Sequence, residues 1–481
     1  MSLFATKPLD RIMREAEGVG EHTTLNRTLT APALVALGIG AIIGAGIFTL
    51  AGVAAANHAG PAIVLSFVLA AIGCALAGFC YSEFSTMIPI SGSAYTYAYA
   101  TMGELLAWII GWDLVLEYAV GAATVSIGWS STLVSILHSL GINLPPQLIA
   151  SPFQPVQLPD GSLVHGIINL PAVLIIAAMT WLLIVGIQES ANVNTIVVFV
   201  KVAVVVLFIA LGYWYVNPVN YVPFIPANEG PGKFGWDGIA RGAGLIFFAF
   251  IGFDAVSTAA QEAKNPKRDM PIGIIGSLAI CTVLYILYSR VLTGIVNYKD
   301  LAVAAPLALA VDRLPYPWLG LAMKIASLGG LTSVILVMLL GQSRVFFSMS
   351  RDGLIPSLFS ALHPKFRTPY RSNILMALFV GLFSAFAPVT LVGEMTSIGT
   401  LFAFVLVSIG IIIMRRSHPN LERPFRTPGV PLVPILSVLF NTYLMYSLGW
   451  ENWLRLVVWL AIGLAIYFGY SRYHSKVQSG A

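Results

Sequence analysis

Two glycine-marked interruptions in apolar runs carry the chemistry of this sequence. The first reads Gly38-Ile39-Gly40-Ala41-Ile42-Ile43-Gly44-Ala45-Gly46-Ile47-Phe48. Each glycine costs a helix about 1 kcal/mol relative to alanine. One reading is close packing through the Gly40 and Gly44 pair, four residues apart. The other is a broken helix. Its second half begins near Gly44 and aims unpaired N–H groups at an anion, and its first half ends in free carbonyls that suit an ammonium group. The second interruption is Phe247-Phe248-Ala249-Phe250-Ile251-Gly252-Phe253-Asp254. A zwitterionic amino acid fits such a pair. Its carboxylate meets N–H groups of Gly44, Ala45 and Gly46, its ammonium meets carbonyls near Ile42, Phe248 and Ile251, and Phe248 closes over it. No charged side chain is needed.

The ionisable residues inside apolar runs are few. Lys201 lies about ten residues into its run, ~15 Å at the helical rise, which is midplane depth and too far to snorkel easily. Three readings stand: a lysine tied to carbonyls of a neighbouring helix, a titrating group, or a fixed cation between the first, fifth and eighth spans. Asp113 and Glu117 are spaced i, i+4, so one helix face carries both carboxyls. Glu117 is the deeper and the better coupling candidate. Asp254 follows the second interruption and is expected to cap or gate its inner half. Glu83, near the inner end of the second span, is expected to be solvated or a helix-packing residue. All seven histidines fall in loops or at span ends, so no histidine relay competes. Cys74, Cys80 and Cys281 show no motif spacing and read as packing residues.

The elements that must hold these groups are membrane helices. Of 481 residues 57% are hydrophobic and 10% are charged, against roughly 25% charged in soluble domains. That excludes a soluble enzyme, a disordered chain and a disulfide scaffold. The net charge of +5 marks cytoplasmic loops rather than a nucleic-acid partner. Twelve spans are predicted near 32–56, 61–88, 104–138, 167–187, 191–215, 238–262, 271–295, 317–349, 372–388, 390–414, 432–449 and 452–471. Most of the 26 basic residues then face the cytoplasm together with both termini, and the 138–165 loop, without Lys or Arg, is external. No cleavable signal peptide is visible. Gly44 and Gly252 stand five spans apart, at matching places in two oppositely oriented halves, the pattern of inverted repeats with a midplane site. The expected division is a cytoplasmic segment 1–31, repeats 32–215 and 216–414, and a final pair of helices with a tail, 415–481.

Three motifs, GIGAIIGAGIF, FFAFIGFDAVSTAAQEAKNPKRDMP and GQSRVFFSMSRDGL, resemble the amino acid–polyamine–organocation superfamily, and within it bacterial members of the cationic amino acid transporter family. The resemblance covers essentially the whole chain. It implies an all-α integral membrane protein of the leucine-transporter-like fold, with two inverted five-helix repeats plus two C-terminal helices. It implies a substrate backbone site at Ile42, Ile43, Gly44, Ala45, Gly46, Phe248, Ala249 and Ile251, and a side-chain pocket with Glu117, Phe248, Ser327 and Leu331. It makes Lys201 the replacement for a sodium ion, with Thr332 and Ser333 lining that place, and Glu117 the third-span acid. The two extra C-terminal spans of animal members are absent. The expected activity is proton-coupled, sodium-independent L-amino acid uptake across a bacterial inner membrane, with Lys201, Glu117 and Asp254 in coupling and no cofactor or metal beyond the proton. The expected partners are the amino acid and membrane lipids, with a small accessory subunit left open. An exchanger without net proton flux is the alternative. An integral-membrane enzyme lacks a His, Asp or Ser cluster at a membrane face, and a channel lacks a filter ring.

Overall fold

The structure is a computed structural model that describes residues 3–8, 12, 29–88, 93–157, 163–186, 191–260, 263–303 and 305–479. Helices dominate. Eight helical segments are long and apolar enough to cross a membrane, and four shorter apolar helices accompany them: Ala31–Ile42, Leu170–Val185, Tyr370–Phe386 and Leu432–Ser447. Their outward faces are apolar too. Phe199, Leu378 and Leu439 are each more than 60% exposed, which suits lipid rather than water.

In chain order the elements are α1 (Ala31–Ile42), α2 (residues 46–59), α3 (Ile63–Met87), α4 (Ser93–Thr101), α5 (Glu104–Ser139), α6 (Leu170–Val185), α7 (Ala191–Gly212), α8 (Gly235–Ile246), α9 (Ala255–Thr258), α10 (Pro266–Ile295), α11 (Pro306–Asp312), α12 (Pro317–Arg351), α13 (Tyr370–Phe386), α14 (Val389–Ser417), α15 (Leu432–Ser447) and α16 (Trp450–Ile466). Their ends follow local chemistry. Prolines stand in the first turn of α1, α6, α10 and α12, where a missing N–H costs nothing. The Asn169 side chain caps α6 by accepting from the Ala172 N–H at 3.4 Å.

Two expectations on elements change. The long 138–165 loop carries a short hairpin, β1 (Pro155–Gln157) against β2 (Leu163–His165), added to an otherwise helical fold. The seventh span starts at Pro266, not Pro271, because Pro266 is itself an acceptable first residue. Two short helices, α4 and α11, were not anticipated.

The packing centres on the interruptions. α10 lies against both α1 and α3, α7 lies against α1 and α12, and α12 packs on α5.

Candidate substrate and coupling site

Both interruptions exist as open backbone. α1 ends at Ile42, and Ile43 turns to extended angles, φ −72° and ψ 103°. A π-helical turn resumes at Gly46, and the Phe48 N–H reaches the Gly44 carbonyl at 3.3 Å. The amides just before Phe48 open a helix, so they have no partner within it. On the other side, α8 tightens into a 3₁₀ turn at Phe247–Phe250, and Ile251 turns extended at φ −59°, ψ 135°. Gly252 follows at φ +118°, a conformation that favours glycine. A Cβ there would also stand 2.8 Å from the Ala41 carbonyl carbon. Gly46 is needed for space: a Cβ on it would lie 2.2 Å from the Ala249 Cα. The two broken segments therefore touch backbone to backbone.

The carbonyls that end α1 are met from two directions. Lys201 on α7 donates to the Gly40 carbonyl at 2.6 Å. Its alkyl stem lies against Gly330 of α12, where a Cβ would come within 2.9 Å. The cation thus joins the first, fifth and eighth spans, and it sits at the negative end of the α1 dipole. The Tyr285 hydroxyl on α10 lies 2.9 Å from both the Ile42 and the Ala249 carbonyls. It bridges the two interruptions, and its one proton serves one carbonyl at a time. Sequence reading missed Tyr285, since a tyrosine in an apolar run carries no pattern of its own.

The acids divide. Glu117 sits on a π-helical turn, Leu116–Val120, a distortion frequent at functional sites. It lies against Asp254, Asp113 and Thr400, yet neither carboxyl oxygen has a well-formed hydrogen bond. The reason is chemical. The Thr400 hydroxyl spends its proton on the Thr396 carbonyl at 3.0 Å, which leaves the Asp254 carboxyl as the hydrogen-bonding neighbour of Glu117. Asp254 accepts from the Tyr118 hydroxyl at 2.9 Å and from the Gly252 N–H at 3.2 Å. It makes no side-chain cap on α9, so the capping expectation gives way to a bond that steadies the turn behind it. Asp113 is buried with both oxygens unpartnered.

Other expected groupings also shift. Thr332 and Ser333 do not act as a pair: the Thr332 hydroxyl donates to the Leu328 carbonyl and accepts from the Trp129 indole at 2.9 Å, while Ser333 donates to the Gly330 carbonyl beside Lys201. Ser327 donates to Met323 of its own helix. Ser327, Leu331 and Val334 share one face of α12, and it is Val334 that approaches Gly44, at 3.3 Å from a Cβ placed there. Phe248 is buried. Of the two roles expected for Glu83, the structure gives helix packing and not solvation. Glu83 is fully buried and receives two Arg415 bonds at 2.8 and 2.9 Å, an Arg423 ion pair at 3.4 Å and the Thr427 N–H at 2.8 Å.

Among the described residues no cluster of three or more His, Cys, Asp or Glu could hold a metal ion. The candidate site is a set of backbone donors and acceptors at two helix breaks, with one buried cation beside it and a buried acid group on its flank.

Relatives match this chain along nearly its whole length. The chain is 45% identical over 481 residues to the branched-chain amino acid permease BcaP of Bacillus subtilis (strain 168), covering 99% of each. It is 43% identical over 477 residues to the methylthioribose transporter of the same organism, again covering 99% of each. It is 30% identical over 593 aligned positions to the vacuolar cationic amino acid transporter 4 of Arabidopsis thaliana, covering 99% of this chain and 97% of that one. Residues 29–468 match the amino acid permease family model, so this multi-pass helical protein is a transporter and not an enzyme, and the chain belongs to the amino acid permease family.

Proposed function

We propose that the protein imports a neutral L-amino acid together with a proton, without sodium. The observation that carries this reading is the Lys201 ammonium on the Gly40 carbonyl, 2.6 Å away and buried between α1, α7 and α12. A positive charge already occupies the end of the first broken helix, so a sodium ion there would meet repulsion. The substrate carboxylate takes the amides at Gly44, Ala45 and Gly46. Its ammonium takes carbonyls near Ile42, Phe248 and Ile251, in company with Ala249. Glu117 and Asp254 complete the coupling groups with Lys201. A neutral side chain is favoured by the apolar α12 face at Leu331 and Val334, and by the branched-chain amino acid permease among the relatives.

The architecture that goes with this reading has twelve crossings in the leucine-transporter-like arrangement. The 42-residue run Gly46–Met87 would be ~63 Å long if straight, twice a bilayer core. It turns at Gly60 (φ +60°) before Pro61, so it serves as the end of one crossing and the whole of the next. Residues 32–215 and 216–414 form inverted repeats, 415–481 holds the last two helices, and residues 1–31 and both termini face the cytoplasm of a bacterial inner membrane.

Reconstituted protein tests this. L-Leucine should accumulate under an inward proton gradient in sodium-free buffer, and Lys201→Ala should lower gradient-driven accumulation at least tenfold. Full accumulation by that variant overturns the coupling role of Lys201. The short Lys201–Gly40 bond also favours a second reading, in which the charge is permanent and the protein exchanges amino acids without net proton flux. Leucine counterflow that persists while pH-driven uptake is absent selects it.

A further inference from the structure

The acid group on the flank of the site contains more than coupling at Glu117 requires. Asp113 stands one helical turn before Glu117 on α5, nearer the end of that helix where Glu104 lies. It is 1% exposed, and both its oxygens are unpartnered. It lies beside α14, where its Oδ1 is 3.3 Å from a Cβ placed on Gly399. A second observation points into the same space. Tyr81 on α3 is fully buried, its hydroxyl also has no partner, and it stands within electrostatic reach of Asp254, Glu117, Tyr97 and Asp113 together. Beyond Tyr81, the hydroxyls of Tyr97 on α4 and Ser257 on α9 are buried and lie against each other.

Unpaired buried polar groups are rare, because each forfeits hydrogen bonds it had in water. Such groups gathered around Tyr81, with no cation against the acids among the described residues, make a place where protons can be held and passed. Among the described residues the titratable groups facing Asp113 are Glu117 on its own helix and Tyr81 on α3, and both of these also face Asp254 at the second break. α14 contributes only Gly399 and Thr400 there.

We propose that Asp113 is the inner station of a proton path that begins at the Glu117–Asp254 pair, with the Tyr81 hydroxyl as the relay between them. This rests on the proton-coupled reading above. The two carboxyls of the pair hold one proton between them. On inward opening, the Tyr81 oxygen accepts that proton on a lone pair as its own O–H proton passes to the Asp113 carboxylate. Tyr81 ends unchanged, the pair is left fully ionised for reloading, and Asp113 releases its proton to cytoplasmic water. Asp113 touches no backbone of the two breaks, so it is a positioning and relay residue rather than part of the substrate contact set.

The test uses full-length protein in sodium-free liposomes with an internal pH dye and radiolabelled L-leucine. Asp113→Asn keeps shape and removes the exchangeable acid. It should retain leucine counterflow within about twofold while losing dye-reported proton entry and pH-driven accumulation at least tenfold. Asp113→Glu should restore both, and Tyr81→Phe should slow proton entry without reducing counterflow. Proton entry unchanged in Asp113→Asn overturns the relay. Loss of counterflow along with proton entry in a variant that melts like the parent also overturns it, since Asp113 would then serve binding. A parent protein with counterflow and no proton entry overturns the coupling reading itself, and the path with it, and is told apart by needing no variant.

Discussion

Glu83 and Glu117 are the same residue type, both closed off from solvent, and they live in opposite chemistry. Glu83 is held by a bidentate Arg415, by Arg423 and by the Thr427 amide. Arg423 in turn donates to the carbonyls of Met414, His418, Pro419 and Leu421. This ties the end of α3 to the end of α14 and the loop beyond it. Glu117 has carboxyls and a spent hydroxyl for neighbours. A buried acid that is fully paired is a staple, because either partner alone would be a stranded charge. A buried acid with no cation or backbone N–H against it is useful only if it can carry a proton. Burial by itself therefore says nothing of function, and the inventory of partners decides.

The largest expected effect breaks the staple. Glu83→Gln leaves Arg415 and Arg423 facing an amide. Removing one partner of a buried pair costs about 3–5 kcal/mol, and the lower end applies here because Arg415 is 27% exposed. The expected outcome is a large drop in melting temperature in detergent, with poor recovery of folded protein. A variant that melts like the parent would show that the staple does not bear on stability.

A smaller loss comes from Arg415→Lys. The charge stays, and the two-pronged geometry goes. About 1 kcal/mol should be lost, with transport rates unchanged once protein amount is normalised. A loss as large as that of Glu83→Gln would mean that geometry, rather than charge balance, carries the staple.

The two glutamates could not be ranked from sequence for a physical reason. The partners of Glu83 lie more than 300 residues downstream, so local pattern showed only an acid near a span end. Lys201 was legible because a lone lysine in an apolar run leaves few explanations, and the first break was legible because glycines accumulate there. The second break needed only Gly252, whose positive φ demands that residue. Tyr285 was illegible: its role comes from where α10 crosses two breaks, which is tertiary. The π-helical turn under Glu117 and the split of Thr332 from Ser333 were hidden for the same cause, since a one-residue change of helical phase leaves no mark in composition. The amino acid permease assignment itself was readable from motifs, as the glycine runs and the residues around them are contiguous in sequence.

The smallest expected effect on stability is the sharpest test of the contrast. Glu117→Gln replaces a carboxyl by an amide of nearly the same shape. If Glu117 were a charged group stabilised by partners, neutralising it would cost as much as at Glu83. With no cation or backbone N–H on either oxygen, there is no such charge pairing to lose. The melting temperature should therefore move by less than about 3 °C, the scale of a kcal/mol or less in a chain of this size. Function should respond the other way round. The amide cannot take up or release a proton, so pH-driven leucine uptake should fall at least tenfold and lose its dependence on the gradient, measured beside an unchanged melting curve. Stability loss equal to that of Glu83→Gln would erase the distinction between the two acids, because it would mean that Glu117 too is held by charge.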